Sequence, residues 1–509
     1  MKKCFCKIAT LVGLLPLLSL TALGAQQGDF VYQTNGGGAV VTGYAGPGGA
    51  VVIPDTLGGV PVRMIGASAF DKETTVTSVN IPNSVTNIHS YAFFNCTSLS
   101  NVTLPNGLIS IGDYAFVLCE SLTNVAIGPS LVSIGALAFG YCDRLRAITV
   151  DPLNSFYTSV DGVLFDKNTN TLLQVPGGKS GSYTIPASVT NIAYGAFIEC
   201  KSLTSVTIPD NVTSLGYSAF YFCSGLTNVS LPSTITSIGG DAFGFCTNLA
   251  SLTIPSAVTS IGWGAFSYCD RLTSITIPHG VTNMGGQAFY GCTGLTNVTI
   301  GSGVTQIADE AFGGCASLTS ITIPDSVTRL GFMAFAGCTG LRNVSIGNSV
   351  TIIEDSVFWG CTGLTSLTIP SSVTTIMDGT FAACTALTSL YFEGNAPAVP
   401  YPDWSKPFDG SPFVTVFYRA GTTGWGATYA DRPTVLWGAL SVQHSGTNVI
   451  VSWPKAATDF VLDESSALGP PSAPAWTQVL AAIYQTNVTS IFVTQPAATG
   501  HKFYRLRRP

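Results

Sequence analysis

Leu203 to Cys223 reads LTSVTIPDNVTSLGYSAFYFC, and Leu226 to Cys246 reads LTNVSLPSTITSIGGDAFGFC. The second stretch repeats the pattern of the first, with Leu226 in the place of Leu203, and the pattern returns at the same step along most of the 509-residue chain. A strict period of this length is the signature of a solenoid, because one unit cannot bury its own apolar side chains and must stack on its neighbours.

Two columns of residues set the phase of the repeat. A phenylalanine recurs with the constant step that leads from Phe70 to Phe93, except for one longer step between Phe139 and Phe197. A cysteine follows each phenylalanine three residues later, except in the first unit, where Glu73 takes its place. The phenylalanines are Phe70, Phe93, Phe116, Phe139, Phe197, Phe220, Phe243, Phe266, Phe289, Phe312, Phe335, Phe358 and Phe381. The longer step equals one repeat plus an insertion.

Each unit contains two short apolar runs separated by proline. In the quoted unit, Leu203 to Ile208 has the alternation and β-branching of a strand that faces a core, and Pro209 ends it. A second apolar pair, Val212 and Leu215, precedes a glycine and the Ala-Phe pair. Glycine and proline every few residues oppose helix. The sequence therefore predicts a mostly β solenoid with phenylalanine and cysteine pointing inward.

The repeat also carries a family resemblance. Its consensus, L-x-x-(V/I)-x-I-P-x-x-V-T-x-I-G-x-x-A-F-x-x-C, resembles that of the BspA-like leucine-rich repeats of bacterial surface proteins, and the match covers residues 62–392. The departures are His89, Glu354 and Met377 at the usual glycine, and Val357 and Thr380 at the usual alanine. The resemblance implies a right-handed leucine-rich-repeat solenoid with protein-binding or adhesive roles and without catalysis.

The N-terminal residues 1–25 predict a secretory signal peptide. Lys2, Lys3 and Lys7 precede an apolar run from Ile8 to Leu23, and small residues follow. Nothing later in the chain has 18 unbroken apolar residues, so the sequence predicts no membrane span. We therefore expect a secreted or cell-surface protein.

Two further segments interrupt or precede the repeats. Residues 26–61 alternate short β runs with glycine turns and predict an N-terminal β cap over the open end of the stack. The insertion, about residues 151–186, predicts a β-hairpin whose apolar strands flank a turn at Lys167 to Asn170.

After the repeats the composition changes twice. Residues 393–438 are rich in proline, glycine and aromatic residues and predict a C-terminal cap. We expect its tryptophans, Trp404, Trp425 and Trp437, to be core residues, with carbohydrate binding as the alternative. Residues 439–509 contain alternating runs that predict a small antiparallel β-sandwich, which resembles fibronectin type III-like modules.

Composition and motifs argue against chemistry at a site. Only 9% of residues are charged and the net charge is -6, so no basic stripe is present to bind nucleic acid. The four histidines have no partner at ligand or triad spacing. Asp166, Asn168 and Asn170 alternate as at the start of a calcium loop, but Thr171 and Gly177 stand where that loop needs glycine and glutamate. The sequence predicts no enzyme, no cofactor and no metal site.

The twelve cysteines of the repeat suggest either disulfides or buried thiols. An exported protein favours disulfides. However, side chains stacked in register point the same way and give poor disulfide geometry, and the position requires a small apolar group. We therefore expect buried thiols. Metal binding is less favoured, because at least one full repeat separates each of these cysteines from the next.

Recognition is expected where the units differ, and the variable positions flank the Ala-Phe pair. Aromatic residues there predict a partner contact surface, because such side chains form interface hot spots or stack on sugars. The candidates are Tyr194, Tyr217, Tyr221, Trp263, Tyr268, Tyr290, Phe332 and Trp359. The leading hypothesis is a non-catalytic protein-binding or adhesion scaffold whose partner is a protein of a host or neighbouring cell surface. The alternatives are a glycan-binding surface protein and a purely structural surface component, in which these side chains fill gaps between coils.

Overall fold

The structure is a computed structural model whose described residues are all-β. It describes residues 25–400, 406–419, 421–437, 440–454, 461–465, 477–480, 483–487, 490–496 and 502–507. These residues contain strands and no α-helix, so the prediction of a mostly β repeat fold is confirmed. The chain divides into two compact units, Met1–Lys167 (unit 1) and Asn168–Pro509 (unit 2). The predicted signal peptide lies outside the described residues, apart from Ala25.

Unit 1 begins with an antiparallel group of strands that leads into the repeats. Phe30–Asn35 pairs antiparallel with Ala25–Gln27 and with Gly38–Tyr44. Gly38–Tyr44 then pairs parallel with Val60–Ile65, which pairs parallel with Asn87–Ile88 of the following coil. The remaining strands of unit 1 are Gly49–Val52, Thr56–Leu57, Val76–Asn80, Asn101–Thr103, Ser110–Ile111, Asn124–Ile127, Ser133–Ile134, Ala147–Val150, Tyr157–Val160 and Val163–Asp166.

The insertion contains a hairpin that the sequence pattern did not indicate. Tyr157–Val160 pairs antiparallel with Val163–Asp166. The turn between them is Asp161 and Gly162, with φ of 50° and 77°. The pattern missed the first strand because its residues, YTSV, are mostly polar. The predicted turn at Lys167 to Asn170 separates Val163–Asp166 from the next strand along the chain.

A buried asparagine holds the start of the insertion in place. Asn154 is 1% exposed, and its Nδ2 donates to the carbonyl oxygens of Gly128 (2.9 Å) and Leu131 (3.0 Å). Its Oδ1 accepts the backbone N–H groups of Phe156 and Tyr157, both at 2.8 Å. Every polar group of this side chain is therefore used, which satisfies the requirement for burying it.

Unit 2 stacks coils through two parallel ladders. Ser237 pairs with Ser214 on one side and with Ser260 on the other, in each case one full repeat away. The strands of the ladder after the proline are Asn191–Ile192, Ser214–Leu215, Ser237–Ile238, Ser260–Ile261, Asn283–Met284, Gln306–Ile307, Arg329–Leu330, Ile352–Ile353 and Thr375–Ile376. Thr171–Gln174, in the insertion, pairs parallel with the first of these strands. The other strands of the repeats are Gly181–Thr184, Leu203–Thr207, Asn228–Ser230, Ser274–Ile277, Asn297–Ile300, Ser320–Thr322, Asn343–Ser345, Ser366–Ile369 and Ser389–Phe392.

Threonine hydroxyls reinforce these ladders from one coil to the next. Thr328 Oγ1 donates to the carbonyl oxygen of Thr305 at 3.3 Å, and Thr351 Oγ1 donates to that of Thr328 at 3.2 Å. The backbone N–H groups of the same residues bind the same carbonyls at 2.9 Å. Each coil therefore uses identical partners one period, or 23 residues, away.

The turn around each Ala-Phe pair has an unusual backbone. The residues two before and two after Phe220, Ser218 and Phe222, have φ of 54° and 61°. Their N–H groups, and that of Phe220, donate to carbonyl oxygens of the next coil at 2.7–2.9 Å. A positive φ is sterically unfavourable for residues with a Cβ, so the hydrogen bonds between coils stabilise this turn.

The phenylalanine and cysteine columns form the core, as the sequence predicted. In unit 2 the rings stack from Phe197 to Phe408 with centroid separations of 4.5–5.8 Å. In unit 1 a shorter stack runs from Tyr44 to Phe139 at 4.8–5.4 Å. Phe408 extends the stack beyond Phe381, the phenylalanine of the last repeat.

The twelve repeat cysteines are buried thiols, as expected. The Sγ of Cys292 donates to the carbonyl oxygen of Phe266 in the preceding coil at 3.1 Å, and Cys315 makes the same contact with Phe289 at 3.3 Å. Burial raises the pKa of Cys292 to about 12. Since the thiolate is the reactive form, these thiols are protected from oxidation while the coils remain stacked.

The C-terminal part of unit 2 extends the solenoid and then changes to antiparallel pairing. Thr415–Arg419 pairs parallel with Ser389–Phe392 and with Arg432–Trp437. Two antiparallel sheets follow, one of four strands and one of three. Their strands are Ser441–Ser445, Asn448–Pro454, Val461–Ser465, Thr477–Gln478, Gln485–Thr486, Ser490–Pro496 and Phe503–Arg507, and Thr428–Tyr429 pairs with Arg432–Trp437.

The sheets share a buried cluster with the end of the solenoid. Trp453 and Leu462, one from each sheet, are buried with Tyr391 and Phe417. Nε1 of Trp437 donates to the carbonyl oxygen of Phe392 at 3.2 Å. The two described tryptophans of the predicted cap pack against other aromatic residues. The ring of Trp425 stacks on that of Tyr418, with centroids 5.3 Å apart, and the ring of Trp437 contacts that of Tyr391, with centroids 5.7 Å apart. Trp404 lies outside the described residues.

Candidate functional site

Four of the eight candidate aromatics lie in one column of unit 2. Tyr194, Tyr217, Trp263 and Phe332 each stand three residues before a core phenylalanine, and we call them the outer aromatic row. Their exposed fractions are 47%, 55%, 49% and 38%. The core phenylalanines of the same coils are fully buried. The row is therefore exposed to solvent on coils whose cores are well packed.

The other four candidates follow the core phenylalanine. Tyr221, Tyr290 and Trp359 stand one residue after it and Tyr268 stands two after it. Tyr268 stacks on Phe245 at 4.5 Å and is 37% exposed, and Tyr221 and Tyr290 are half-buried. Trp359 is 47% exposed. This second group partly fills space between coils, which was the alternative interpretation of the sequence.

Two rings of the outer row lie close to glycines of the next coil. A Cβ at Gly240 would collide with Cζ of Tyr217, so a larger residue at position 240 would displace that ring. A Cβ at Gly286 would lie 3.4 Å from Cδ1 of Trp263 and 3.0 Å from the carbonyl oxygen of Asp309. The Tyr217 ring therefore lies against the next coil at Gly240, and Trp263 lies within ordinary contact distance of Gly286.

An open pocket of about 410 Å³ lies between Trp263 and Phe332. These two rings are three coils apart, and the two intervening positions of the column are Gly286 and Asp309. The lining residues are Trp263, Gly286, Gln287, Gln306, Ala308, Asp309, Glu310, Arg329 and Phe332. The pocket thus combines two aromatic residues with polar side chains of both donor and acceptor type.

Charged groups at the pocket are held by contacts between coils. Nε and Nη2 of Arg329 donate to the two carboxylate oxygens of Glu354 at 2.7 and 2.8 Å, and Arg329 also lies 3.6 Å from Asp309. Nε2 of Gln287 donates to Oε2 of Glu310 at 3.1 Å. The Glu354 carboxylate raises the pKa of Arg329, so this side chain stays a cation. A bidentate arginine–carboxylate pair is geometrically rigid, which orients the remaining donors.

A second polar group lies nearer the start of the row. Burial raises the pKa of Asp241 to about 6. Burial first, and then the Asp241 carboxylate, raises the pKa of Tyr194. A Cβ at Gly264 would collide with Oδ1 of Asp241, so this carboxylate rests on the next coil in the same way as the rings do.

The polar residues of the pocket were not identified from the sequence. Asp309 and Glu310 read as a solvated acidic pair, and Gln287 and Arg329 carried no signal. The repeat period could have identified them, because residues one period apart are paired. Gln287 donates a hydrogen bond to Glu310, and the Asp309 carboxylate accepts one from the N–H of Phe332; each pair is 23 residues apart. Side chains that are one period apart in a solenoid are neighbours.

Two other kinds of site are absent from the described part of the chain. Among those residues, no group of three or more histidine, cysteine, aspartate or glutamate side chains is arranged to hold a metal ion. In the same ranges, no helix has the length and apolar character needed to cross a bilayer.

Comparison with known proteins identifies the repeats. The family model for the BspA type Leucine rich repeat region (6 copies) matches residues 63–174, 179–296 and 282–400. No curated protein matches the chain. Among solved structures, it is similar to a leucine-rich repeat protein from Bacteroides ovatus, with 26% identity and a TM-score of 0.48, covering 72% of this chain and 94% of that one.

Two further solved structures are similar. One is a leucine rich cell surface protein from Faecalibacterium prausnitzii, with 28% identity and a TM-score of 0.37, covering 72% of this chain and 88% of that one. The other is the pneumococcal vaccine antigen PcpA, with 18% identity and a TM-score of 0.38, covering 73% of this chain and 93% of that one.

Proposed function

The chain belongs to the BspA-type leucine-rich repeat family, and we propose that it is a secreted or cell-surface scaffold that binds a protein partner without catalysis. The contact surface is the outer aromatic row. One observation carries this proposal: four large rings in a single column of unit 2 are 38–55% exposed on coils whose cores are fully packed. Rigid, exposed aromatic side chains are the residues that most often dominate binding energy at protein interfaces.

The remaining surface supports contact by shape and burial more than by charge. Only 9% of residues are charged, so long-range steering of a charged partner is weak. Binding energy then depends on apolar area removed from water, and large rings supply most of it. A ladder of hydrogen bonds holds the row in place, so little entropy is lost when a partner docks.

The other segments have supporting roles in this proposal. Residues 1–25 direct export, residues 26–61 and 393–438 cap the repeats of residues 62–392, and residues 439–509 form a fibronectin type III-like spacer or attachment module. The antiparallel pairing and the buried Trp453 in the last segment agree with such a module.

Capture of proteins from intact cell surfaces tests the proposal. The mature protein, carrying a photocrosslinker, is exposed to candidate host and neighbouring cells and compared with the variant Tyr194→Ala/Tyr217→Ala. The matched control is Phe156→Ala, which removes an equally exposed ring (49%) in unit 1, outside the row. We expect a defined crosslinked protein whose yield falls at least tenfold in the row variant and stays unchanged in the control. Equal yields from all three proteins would show that the row is not the contact surface.

A further inference from the structure

We propose that the pocket between Trp263 and Phe332 binds a short neutral saccharide. This inference rests on the proposed function only in using the same row of rings, and it names a ligand class for one part of it. The pocket has a volume of about 410 Å³ and is open to solvent.

The shape of the pocket suits an elongated ligand with flat apolar faces. Three coil steps separate the two rings, which corresponds to roughly 14 Å at about 4.8 Å per stacked strand. Gly286 and Ala308, which have small side chains or none, are among the residues that line the space between the rings. Trp263 lies beside Gly286 and is 49% exposed. The C–H faces of a pyranose ring pack on such a surface, while its hydroxyl edge is left for polar partners.

The lining offers donors and acceptors together. Arg329 carries only donors, and the carboxylates of Asp309 and Glu310 carry only acceptors when ionised. Gln287 and Gln306 provide both. A hydroxyl group also donates and accepts, so a ligand rich in hydroxyls satisfies the whole set. A cation would use only the acceptors, and an anion only the donors.

The charges of the pocket select a neutral ligand. Arg329 is already paired with Glu354 and lies near Asp309, so its charge is compensated within the protein. Asp309 and Glu310 add further negative charge, and a sulfated or carboxylated sugar would meet like charge at short range. A lysine or arginine side chain of a peptide would have to compete with Arg329 for Asp309 and with Gln287 for Glu310. The lining therefore favours a sugar over a basic peptide.

Glycan binding by the intact mature protein tests the inference. An array of neutral and acidic glycans is followed by titration calorimetry with neutral probes: cello-, malto-, xylo- and N-acetylchito-oligosaccharides. We expect binding of at least one neutral class, reduced at least tenfold by Trp263→Ala and by Gln287→Ala. Trp359→Ala is the matched control, because it removes a tryptophan of similar exposure (47%) on the other column. Urea unfolding midpoints establish that each variant is folded.

The outcomes separate this inference from the proposed function. Binding of acidic glycans alone, binding of basic peptides that Trp263→Ala abolishes, or no glycan binding at all would overturn the saccharide assignment. If the cell-surface protein is still captured through Tyr194 and Tyr217 in those cases, the proposed function stands. If a neutral sugar binds at Trp263 while protein capture is insensitive to the row, the saccharide site stands and the proposed protein contact fails.

Discussion

Raising the pH above 9 is expected to destabilise the repeats through their buried cysteines. Cys292 is fully buried beside Phe266, and burial raises its pKa from 9.0 to about 12. A group whose folded pKa is raised gives stability that is complete below the unfolded pKa. That stability is lost as the pH rises through the folded pKa. The loss therefore begins near pH 9 and continues to about pH 12.

The size of the loss follows from proton counting. Within that window the unfolded chain binds one proton fewer per cysteine than the folded chain. The free energy of unfolding then falls by about 1 kcal/mol per pH unit for each buried thiol, or about 2 kcal/mol between pH 9 and pH 11. Cys338, whose pKa burial also raises to about 12, contributes a second loss of similar size.

Urea unfolding of wild type and variants at a series of pH values, under reducing and anaerobic conditions, measures this effect. Cys292→Ala is expected to reduce the slope of unfolding free energy against pH by about 1 kcal/mol per pH unit, the contribution of one buried thiol. Cys292→Ala/Cys338→Ala is expected to reduce that slope by twice as much. Thr293→Ala is the control, because it changes an exposed neighbour that does not titrate. Tyrosines and lysines titrate in every protein of the series and cancel in the differences.

The reasoning is refuted if Cys292→Ala shows the same slope as wild type between pH 9 and pH 11. That result would mean that the folded and unfolded states hold this proton equally well, and hence that the thiol is not buried. A lower overall stability of Cys292→Ala at every pH, with an unchanged slope, would count as the same refutation, since lost packing alone does not depend on pH.

Three other perturbations test separate parts of the structure. Phe289→Ala removes a fully buried ring that stacks on its neighbours at 5.3 and 5.4 Å, and it should lower the unfolding free energy by about 3–5 kcal/mol in urea titrations. Phe332 is 38% exposed, so Phe332→Ala should change the unfolding free energy by less than about 0.5 kcal/mol. Asn154→Ala removes four hydrogen bonds and should cost about 2–4 kcal/mol. Limited proteolysis should then cleave the insertion first, and an unchanged digestion pattern would contradict the anchoring role. Burial raises the pKa of the Asp241 carboxyl from 3.8 to about 6, so ionising it at pH 7 costs folding free energy. Asp241→Asn removes that cost and should stabilise the protein at pH 7. Below pH 3.8 the carboxyl is protonated in both the folded and the unfolded chain, and the cost is absent. The gain should vanish below about pH 4 in thermal melts, and a gain that persists there would point to another cause.

The coils could be predicted from sequence because each packing position is repeated many times. The columns of phenylalanine and cysteine, and the strands either side of proline, have one environment per position, so periodicity reveals it. Phe408 was missed because the period fails before it, although its ring continues the stack at 5.8 Å from Phe381. The polar strand Tyr157–Val160 was missed because its hairpin depends on turn geometry and on Asn154, which no apolar pattern reports.

The candidate site was only half visible for a different reason. The exposed rings could be selected as variable aromatic positions, but the residues that each ring lies against belong to the next coil, such as Gly240 and Gly286. The polar lining depends on pairs that are 23 or 25 residues apart, such as Gln287 with Glu310 and Arg329 with Glu354. A search along the chain for adjacent motifs does not compare such positions, whereas a search down the columns does.

Hydrogen-bonding partners in neighbouring coils are a fixed number of residues apart. The number of coils can therefore change without interrupting the ladder, although the side chains of the candidate site change. Excising residues 328–350 would bring Thr351 onto Thr305 and Phe358 onto Phe312, where each meets the same kind of partner that it has now. The ladder would close without a gap, yet Arg329 and Phe332 would be gone. Unequal recombination between repeats can therefore lengthen or shorten such a chain at little cost in folding, while the order of the coils determines which side chains line the candidate site.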